Sequence, residues 1–317
     1  MNLSDQIKKA AGYIKEGKLV AFPTETVYGI GANALNPIAV ARIYEVKERP
    51  SFDPLIIHIA EIGDLQKLTV NISEQVYRLA EKFWPGPLTM VLPKSEIVPD
   101  IVTAGLPTVG IRMPANKMAL QLIRASKCPI AAPSANKFGR ISPTNASHVK
   151  KNLPNIDYIL DGGSTTVGIE STIIQLSEKG FKILRNGIIT QEDLESVLAF
   201  DPTIYSEKLS APGMLKSHYS PAKKMLIADI SHPGVFDKVR TGFISFSGKY
   251  EKGHYKIIRV SEKNDLKDYA VNMFAAMHSF EEDGEIELIL AEPVQEKGIG
   301  LAIMDRLRKA EYNWKNI

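Results

Sequence analysis

Short apolar runs of strand length alternate along this chain with longer stretches of helical periodicity, and this alternation constrains the fold most strongly. Residues 19–22, 55–59 and 88–92 are apolar runs typical of buried strands. Residues 4–16 repeat apolar side chains at helical spacing, which predicts a helix with Ser4 as its N-cap. Strands and helices that interleave in this way indicate an α/β fold, in which the sheet can be mixed.

The same pattern continues through the first two thirds of the chain. Pro23 ends the first strand, and residues 24–29 are predicted to form a loop. Further helices are predicted over residues 37–46 and 73–83. Further strands are predicted over residues 108–112, 130–132, 158–160, 171–176 and 182–184.

Residues 206–222 interrupt this pattern and are predicted to form a linker. They show no periodicity and contain Pro212, Gly213 and Pro221. A second α/β series follows, with strands predicted over 225–228, 242–246, 256–260 and 287–291 and helices over 266–280 and 299–310. We therefore expect a domain at residues 1–205 and a smaller α/β domain at residues 223–317, joined by the linker 206–222.

Composition narrows the class of protein. The hydrophobic fraction of 44% and charged fraction of 24% are those of a globular chain, and the formal net charge is only +3. A dedicated nucleic-acid binder would carry a strongly basic face. No segment reaches the roughly 18 apolar residues of a membrane span, and the first residues lack a signal-peptide core, so we expect a cytoplasmic protein. The single cysteine, Cys128, excludes an internal disulfide and is expected to be a buried structural thiol.

Polar residues follow several predicted strands, where function concentrates in α/β proteins. Thr24, Glu25 and Thr26 follow the first strand, either to meet a ligand or to cap a turn. Arg112 ends an apolar strand and needs an anionic partner, which could be Glu25, Glu170 or a substrate carboxylate.

Lys47 and Arg49 leave a predicted helix end together, in a loop stiffened by Pro50 and Pro54. Rigidly held cations suit the phosphates of ATP. Alternatively, both cations could simply stabilise the dipole of the helix that precedes them. His58 closes the same segment within an apolar strand, where a hydrogen-bonded core histidine is the commoner case.

Two later loops carry similar chemistry. Residues 132–144 contain Ser134, Asn136, Arg140 and Ser142, which suit the polar edges of a nucleotide or form a proline-rich surface turn. Residues 168–172 and 185–187 also follow or enter strands. Neither is a Walker loop, and we find no GxGxxG fingerprint, no Gly-x-Ser-x-Gly elbow and no histidine-rich metal pattern.

The order and spacing of these segments resemble the threonylcarbamoyl-AMP synthase family, whose catalytic part is the YrdC-like domain. The matching stretches, between residues 23 and 187, are PTETVYGIG, KERPSFDPLIIH, FWPGPLTMVL, TVGIRMP, APSANKFGRISPT, GIESTI and ILRNG. The linker APGMLKSHYSP and the second domain resemble the long, two-domain form. The resemblance implies a YrdC-like twisted mixed sheet with helices and a smaller, Rossmann-like C-terminal α/β domain.

The resemblance also implies a reaction: L-threonine, bicarbonate and ATP give threonylcarbamoyl-AMP and pyrophosphate, which a separate transferase uses to modify tRNA. It implies that L-threonine is bound by Thr26, His58, Arg112 and Ser171. It implies that ATP is bound by Lys47, Arg49, Asp53, Thr108, Ser134, Asn136, Ser142, Arg185 and Tyr219, with Lys47 and Arg49 stabilising charge. Mg²⁺ is expected from triphosphate chemistry, although no residue pattern indicates a metal site.

Two positions depart from the family pattern. The family often has Asn where this chain has Asp53, a carboxylate that either helps to hold Mg²⁺ or weakens ATP binding. Lys137 and Phe138 follow the Ser-x-Asn loop, where small or apolar residues are usual. The sequence therefore does not predict which residues form the wall of the adenine or ribose site.

Three hypotheses concern function beyond this reaction. The linker, ending in His218 and Tyr219, could act as a lid that keeps water from a labile mixed anhydride. A non-catalytic RNA-binding module is the alternative from another class, which the small net charge disfavours. Transfer from carbamoyl phosphate, as in YrdC-like parts of larger proteins, is the alternative enzyme, but this chain has no room for the accompanying modules.

Overall fold

The structure is a computed structural model that describes residues 2–203, 212, 218–230 and 240–315, without the side chains of 313–315. The helices are α1 (Leu3–Lys15), α2 (Pro37–Lys47), α3 (Leu65–Leu68), α4 (Glu74–Phe83), α5 (Asp100–Thr103), α6 (Lys117–Ser126), α7 (Ala146–Asn152), α8 (Gln191–Glu195), α9 (Leu266–Glu282) and α10 (Ile299–Lys315). The strands are β1 (Val20–Pro23), β2 (Tyr28–Asn33), β3 (Ile56–His58), β4 (Leu88–Pro93), β5 (Thr108–Arg112), β6 (Ile130–Ala131), β7 (Tyr158–Ile159), β8 (Thr172–Ser177), β9 (Gly180–Arg185), β10 (Lys224–Ile227), β11 (Thr241–Ser245), β12 (Lys256–Arg259) and β13 (Leu288–Ala291).

The larger sheet contains the strands β1 to β9 in the order β7-β1-β2-β6-β3-β5-β4-β8-β9. It is mixed: β3 runs parallel to β5, whereas β4 and β5 are antiparallel. The buried, nearly continuous apolar character of these strands follows from helices covering the sheet. The prediction of a twisted mixed sheet with helices is therefore confirmed.

Two details at the start of the chain differ from the prediction. Helix α1 is capped by Asn2, whose side chain accepts from the Asp5 amide, so Ser4 is not the cap. Strand β2 begins at Tyr28, inside the predicted loop, and pairs antiparallel with β1. Its two glycines conceal it, because glycine is unfavourable in strands. Gly31 is needed there, since a Cβ would collide with the side chains of Phe22 and Ile130.

The smaller sheet has the order β10-β13-β11-β12, and all of its strand pairs are parallel. Helices α9 and α10 fall where helical periodicity predicted them, and they pack against each other and on this sheet. This confirms the smaller C-terminal α/β sheet.

The core around α9 and α10 is not restricted to the second sheet. Val27, Ile141 and Ile169, from three loops of the N-terminal part, are buried in the same hydrophobic cluster. Tyr219 joins this cluster, and its ring lies 5.4 Å from that of Phe274. The C-terminal part therefore packs directly on loops that the sequence analysis singled out. Within the described residues, no helix is both long and apolar enough to cross a membrane.

Candidate active site

A cavity of about 560 Å³, part of it open to solvent, lies against one face of the larger sheet. Ile56 and His58 both line it, because alternate residues of β3 point to the same face. The residues lining it are Thr24, Thr26, Val27, Gly29, Arg49, Ile56, His58, Arg112, Ala132, Pro133, Ser134, Glu170, Ser171, Arg185, Pro212, His218 and Tyr219. The cavity therefore brings together side chains from most of the loops that the sequence analysis selected.

Arg112 is held at the end of β5 by two residues of the turn after β1. Its Nη2 donates to Glu25 Oε1 at 2.6 Å, and its Nη1 donates to Thr26 Oγ1 at 3.0 Å. The second oxygen of Glu25 accepts from the Ala115 amide at 3.0 Å. Of the partners considered for Arg112, the structure thus provides Glu25. The guanidinium still lines the cavity, where a ligand carboxylate could approach it.

Thr24 organises the turn itself. Its Oγ1 donates to the Val27 carbonyl at 2.6 Å and lies 2.8 Å from Thr26 Oγ1. Thr24 therefore caps this turn, and the same turn also lines the cavity in which a ligand could bind.

His58 is a buried histidine beside this arginine. Burial, with a contribution from Arg112, lowers its pKa to about 3, so the ring is neutral at pH 7. Its Nδ1 is buried without a hydrogen-bond partner among the described residues. A buried polar atom of this kind is available to a ligand.

Lys47, at the end of α2, is fully buried and anchors a neighbouring loop. Its Nζ donates to the carbonyl of Ser134 at 2.6 Å and to the carbonyl of Asn136. Burial and the nearby Arg49 lower the pKa of Lys47 well below its usual value. Lys47 does not line the cavity, so here it holds the Ser134–Asn136 loop in place.

Arg49 lines the cavity and is paired with Asp53 from its own loop. Its Nη2 lies 2.9 Å from Asp53 Oδ2, and both side chains are buried. Nε and Nη2 also donate to the carbonyls of Asp53 and Pro54. Burial raises the pKa of Asp53, against the opposing effect of Arg49 and Lys47. The position that departs from the family pattern is thus the counter-ion of a cavity arginine.

Arg185, at the end of β9, forms another part of the cavity wall. It donates through Nε to the Ser171 carbonyl at 3.1 Å and through Nη2 to Ser171 Oγ at 3.1 Å. Its Nη1 donates to the Pro212 carbonyl at 3.2 Å. Burial lowers the pKa of this guanidinium. Ser171 Oγ also lies 2.8 Å from Thr89 Oγ1, so its orientation is fixed.

Glu170 connects the cavity to the C-terminal part. Ser142 Oγ donates to its Oε1 at 2.5 Å, and Arg306 Nε donates to its Oε2 at 3.2 Å. The sequence analysis did not identify Arg306. A signal was present, because Arg306 falls on the apolar face of α10 marked by Ile303 and Leu307, where a charge needs a partner.

Of the remaining predicted residues, some line the cavity, some are buried near it and one lies outside its lining. Tyr219 lines the cavity and is buried, with its Oη unpaired among the described residues. Asn136 and Ser142 are buried immediately behind the lining. Thr108 shares the face of Arg112 by strand alternation but lies at the opposite end of β5 and does not line the cavity.

The charge of the cavity favours an anionic ligand. In the described part of the chain, its wall contains the guanidinium groups of Arg49, Arg112 and Arg185 and the carboxylate of Glu170. His218 adds no charge, because burial and nearby cations hold its pKa well below the usual value. Several unpaired donors and acceptors complete a site suited to phosphate and carboxylate groups.

The carboxylates do not form a metal-binding cluster. No group of three or more potential metal ligands occurs among the residues that the structure describes. Asp53, Glu25 and Glu170 are each paired with an arginine. Mg²⁺, where ATP requires it, would therefore have to be held mainly by phosphate oxygens and water.

These features define a two-part α/β protein with a cation-lined cavity that suits a small anionic ligand. The family model Sua5_yciO_yrdC, described as telomere recombination, matches residues 12–187. The model Sua5_C, described as the C-terminal domain of threonylcarbamoyl-AMP synthase, matches residues 189–311. The chain belongs to the Sua5/YciO/YrdC family, in its form with the Sua5 C-terminal domain.

Relatives in this family match nearly the whole chain. The threonylcarbamoyl-AMP synthase of Pyrococcus abyssi is 46% identical, over 96% of this chain and 94% of its own length. The protein of the same name from Bacillus subtilis is 42% identical, over 96% and 92%. The crystal structure of P. abyssi Sua5 complexed with L-threonine is 45% identical, with a TM-score of 0.86 over 96% of this chain and 94% of that one.

Proposed function

We propose that this protein is a threonylcarbamoyl-AMP synthase, an enzyme that condenses L-threonine, bicarbonate and ATP to threonylcarbamoyl-AMP and pyrophosphate. The observation that carries the proposal is the convergence of two groups of residues in one cavity. Thr26, His58 and Arg112 form one group, and Arg49 and Arg185 lie on the other walls. Full-length similarity to proteins named threonylcarbamoyl-AMP synthase supports it.

The group around Arg112 suits an amino acid. Arg112 would bind the carboxylate of L-threonine, with Thr26 and Ser171 beside it as hydroxyl partners. The neutral ring of His58, whose pKa is about 3, can accept a hydrogen bond from the substrate amine without repelling its charge. Similarity to a structure described as complexed with L-threonine supports this placement.

The second group suits a triphosphate. Arg49 and Arg185 would neutralise the phosphates, and Lys47 would support them by holding the Ser134–Asn136 loop. Ser134, Asn136, Ser142 and Tyr219 stay predicted nucleotide contacts. Thr108 also stays a prediction, although it lies outside the cavity lining. Asp53 would contribute indirectly, as the partner of Arg49.

The reaction requires positioning and charge neutralisation more than a nucleophilic side chain. The threonine amine condenses with bicarbonate to a carbamate and water. A carbamate oxygen then attacks the α-phosphorus of ATP, and the bond from that phosphorus to the leaving pyrophosphate breaks. Arg49 and Arg185 would stabilise the developing charge, Lys47 would act through the loop that it holds, and the enclosed part of the cavity would exclude water. Mg²⁺ would supply further charge neutralisation on the phosphates.

The proposal extends to the organisation of the chain. We assign the catalytic unit to residues 1–205, the linker and lid to 206–222 and the smaller domain to 223–317. Most of residues 206–217 lie outside the described residues, but Pro212, His218 and Tyr219 line the cavity. The product would feed a cytoplasmic transferase that modifies tRNA, without membrane attachment and with little direct tRNA binding.

The function can be tested by following pyrophosphate from the purified full-length chain with ATP and Mg²⁺. Release should depend on both L-threonine and bicarbonate. Arg112→Gln should raise the KM for threonine more than the KM for ATP. Arg124→Gln is the matched control, because Arg124 forms an exposed ion pair with Glu61. Pyrophosphate release that does not depend on threonine would contradict the proposal. RNA binding without any ATP turnover would also contradict it.

A further inference from the structure

Arg306 is a fully buried arginine that the C-terminal part contributes to the back of the cavity. It lies on α10, and its Nε donates to Glu170 Oε2 at 3.2 Å. Its Nη1 donates to the Asn186 carbonyl at 2.5 Å. The guanidinium carbon lies 5.5 Å from the ring centroid of Tyr219, in cation–π contact. Arg306 therefore touches two residues of the cavity wall without lining the cavity itself.

We propose that Arg306 is a positioning residue, which holds the Glu170 carboxylate away from Arg185 and so leaves the N–H donors of Arg185 that Ser171 and Pro212 do not use available to the phosphates of ATP. This inference rests on the proposed function, because it assumes that Arg185 meets ATP. It assigns the smaller domain a direct part in the nucleotide site.

Glu170 has two possible cationic partners. It is close enough to Arg185 to influence the pKa of that guanidinium, and Arg306 acts on Arg185 as well. Both oxygens of Glu170 are nevertheless committed elsewhere, one to Ser142 and the other to Arg306. Without Arg306, Glu170 would still lie in the wall of the same cavity as Arg185, whose guanidinium it influences. An ion pair between them would occupy the donors that a phosphate needs.

Stability alone is a weak reason for such an arrangement. A buried ion pair is often no more stabilising than apolar side chains of similar volume. Arg306 is entirely buried between the two parts of the molecule, where a methionine would fill much of its volume. A structural role is still possible through the bond to Asn186, so the test must separate stability from nucleotide binding.

The test measures ATP binding by calorimetry, together with the melting temperature, in the full-length chain. Arg306→Met should weaken ATP binding roughly tenfold, within the range of coupling energies between contacting residues. Arg306→Lys keeps the charge and should retain most of the affinity. Arg308→Met is the matched control, because Arg308 lies on the same helix in an exposed pair with Glu296.

The decisive comparison introduces Glu170→Gln into both backgrounds. A neutral amide can accept a hydrogen bond from Arg185 but forms no ion pair with it, so Arg306→Met should then weaken ATP binding by less than about twofold. A purely structural role would give the same loss in both backgrounds. If Arg306→Met does not fold, Arg306→Gln, which also removes the charge, gives the same comparison with and without Glu170→Gln.

Three results would overturn the inference. Arg306→Met could lower the melting temperature and leave ATP binding unchanged, Glu170→Gln could fail to suppress the loss, or the unaltered chain could fail to bind ATP. A chain that binds ATP but releases no threonine-dependent pyrophosphate would contradict the proposed function instead. In that case the binding comparison still decides the role of Arg306.

Discussion

Three arginines line the cavity, and each already forms contacts within the protein that a bound ligand must accommodate. Glu25 pairs with Arg112 and Asp53 pairs with Arg49, whereas Arg185 is held by Ser171 and a backbone carbonyl. Internal partners keep buried guanidinium groups oriented while no substrate is bound. They also reduce the net charge that an incoming phosphate meets, so their removal should alter substrate affinity.

The clearest case is Asp53. Its buried carboxylate is paired with Arg49, and no metal-binding cluster surrounds it among the described residues. We expect Asp53→Asn to lower the KM for ATP about fivefold, because a phosphate gains roughly 1 kcal/mol when a nearby negative charge is removed. Steady-state pyrophosphate release measures this. A higher KM, accompanied by a greater requirement for Mg²⁺, would show instead that Asp53 helps to hold the metal.

Two stacked histidines lie where the N-terminal and C-terminal parts of the chain meet. The rings of His148 and His278 lie 3.8 Å apart, and His278 Nε2 lies 3.2 Å from the Ser142 carbonyl. Burial, reinforced by His148, lowers the pKa of His278 to about 3, and burial lowers that of His148 to about 4. The charged groups around them are Lys151, Glu281 and Glu282.

Because both rings are neutral when folded and titrate near 6.5 when unfolded, the unfolded chain gains protons first as the pH falls. Stability should therefore fall from about pH 6.5 downwards, by up to about 1.4 kcal/mol per pH unit for each histidine. His278→Gln should flatten this dependence in melting experiments between pH 6.5 and 4. Identical slopes for the two chains would contradict the assignment.

At the scale of elements, the contact between the loop before β8 and helix α9 depends on Gly168. Its φ is +77°, and a Cβ would overlap the backbone of Ala270 and Val271. The loop carries Glu170 and Ser171, so the same close approach that joins the two parts also places cavity residues. A glycine is therefore required there for space as well as for conformation.

We expect Gly168→Ala to destabilise the protein by about 1–3 kcal/mol more than Gly163→Ala. Gly163 also has a positive φ, +76°, but a Cβ there would meet nothing within 4 Å. The two variants share the conformational cost and differ only in the collision. Denaturant unfolding of both variants measures the difference in the free energy of unfolding. Equal losses of stability would show that α9 moves aside at no cost in free energy.

Sequence patterns predicted the strands and helices whose periodicity is uninterrupted, and they failed where tertiary packing decides. The short apolar runs of β3 and β5 were readable, whereas β2 was hidden by its two glycines, one of which, Gly31, is required by the side chains of Phe22 and Ile130. The cavity loops were found because prolines, glycines and polar side chains follow buried strands. The pairing of Asp53 with Arg49 could not be predicted, because it depends on the orientation of side chains in an irregular loop.

Across the molecule, loops of the N-terminal part share a hydrophobic core with the smaller sheet and its helices. Val27, Ile141 and Ile169 belong to the larger unit but are buried with residues of α9 and α10. The smaller domain is therefore more than a support for the linker. The sequence marks Arg306 as a charge that needs a partner, but that this partner is the cavity residue Glu170 is seen only when α10 is placed against it.

Deletion of residues 206–317 should consequently do more than remove a lid. It would expose the three apolar side chains, each of which contributes about 1.5–3 kcal/mol when buried. We expect a lower melting temperature, increased binding of a hydrophobic dye and greater loss of intermediate to free threonine and AMP. An unchanged melting temperature would contradict the shared core, and an unchanged product yield would contradict the lid.

The most direct test of the central claim is the identity of the product. The full-length protein is incubated with ATP, Mg²⁺, L-threonine and ¹³C-bicarbonate, and the nucleotides are analysed by mass spectrometry. We expect threonylcarbamoyl-AMP that carries the label in its carbamoyl carbon, formed with an equal amount of pyrophosphate and absent without threonine. Formation of ADP and phosphate, or a carbamoyl adenylate made only from added carbamoyl phosphate, would contradict it.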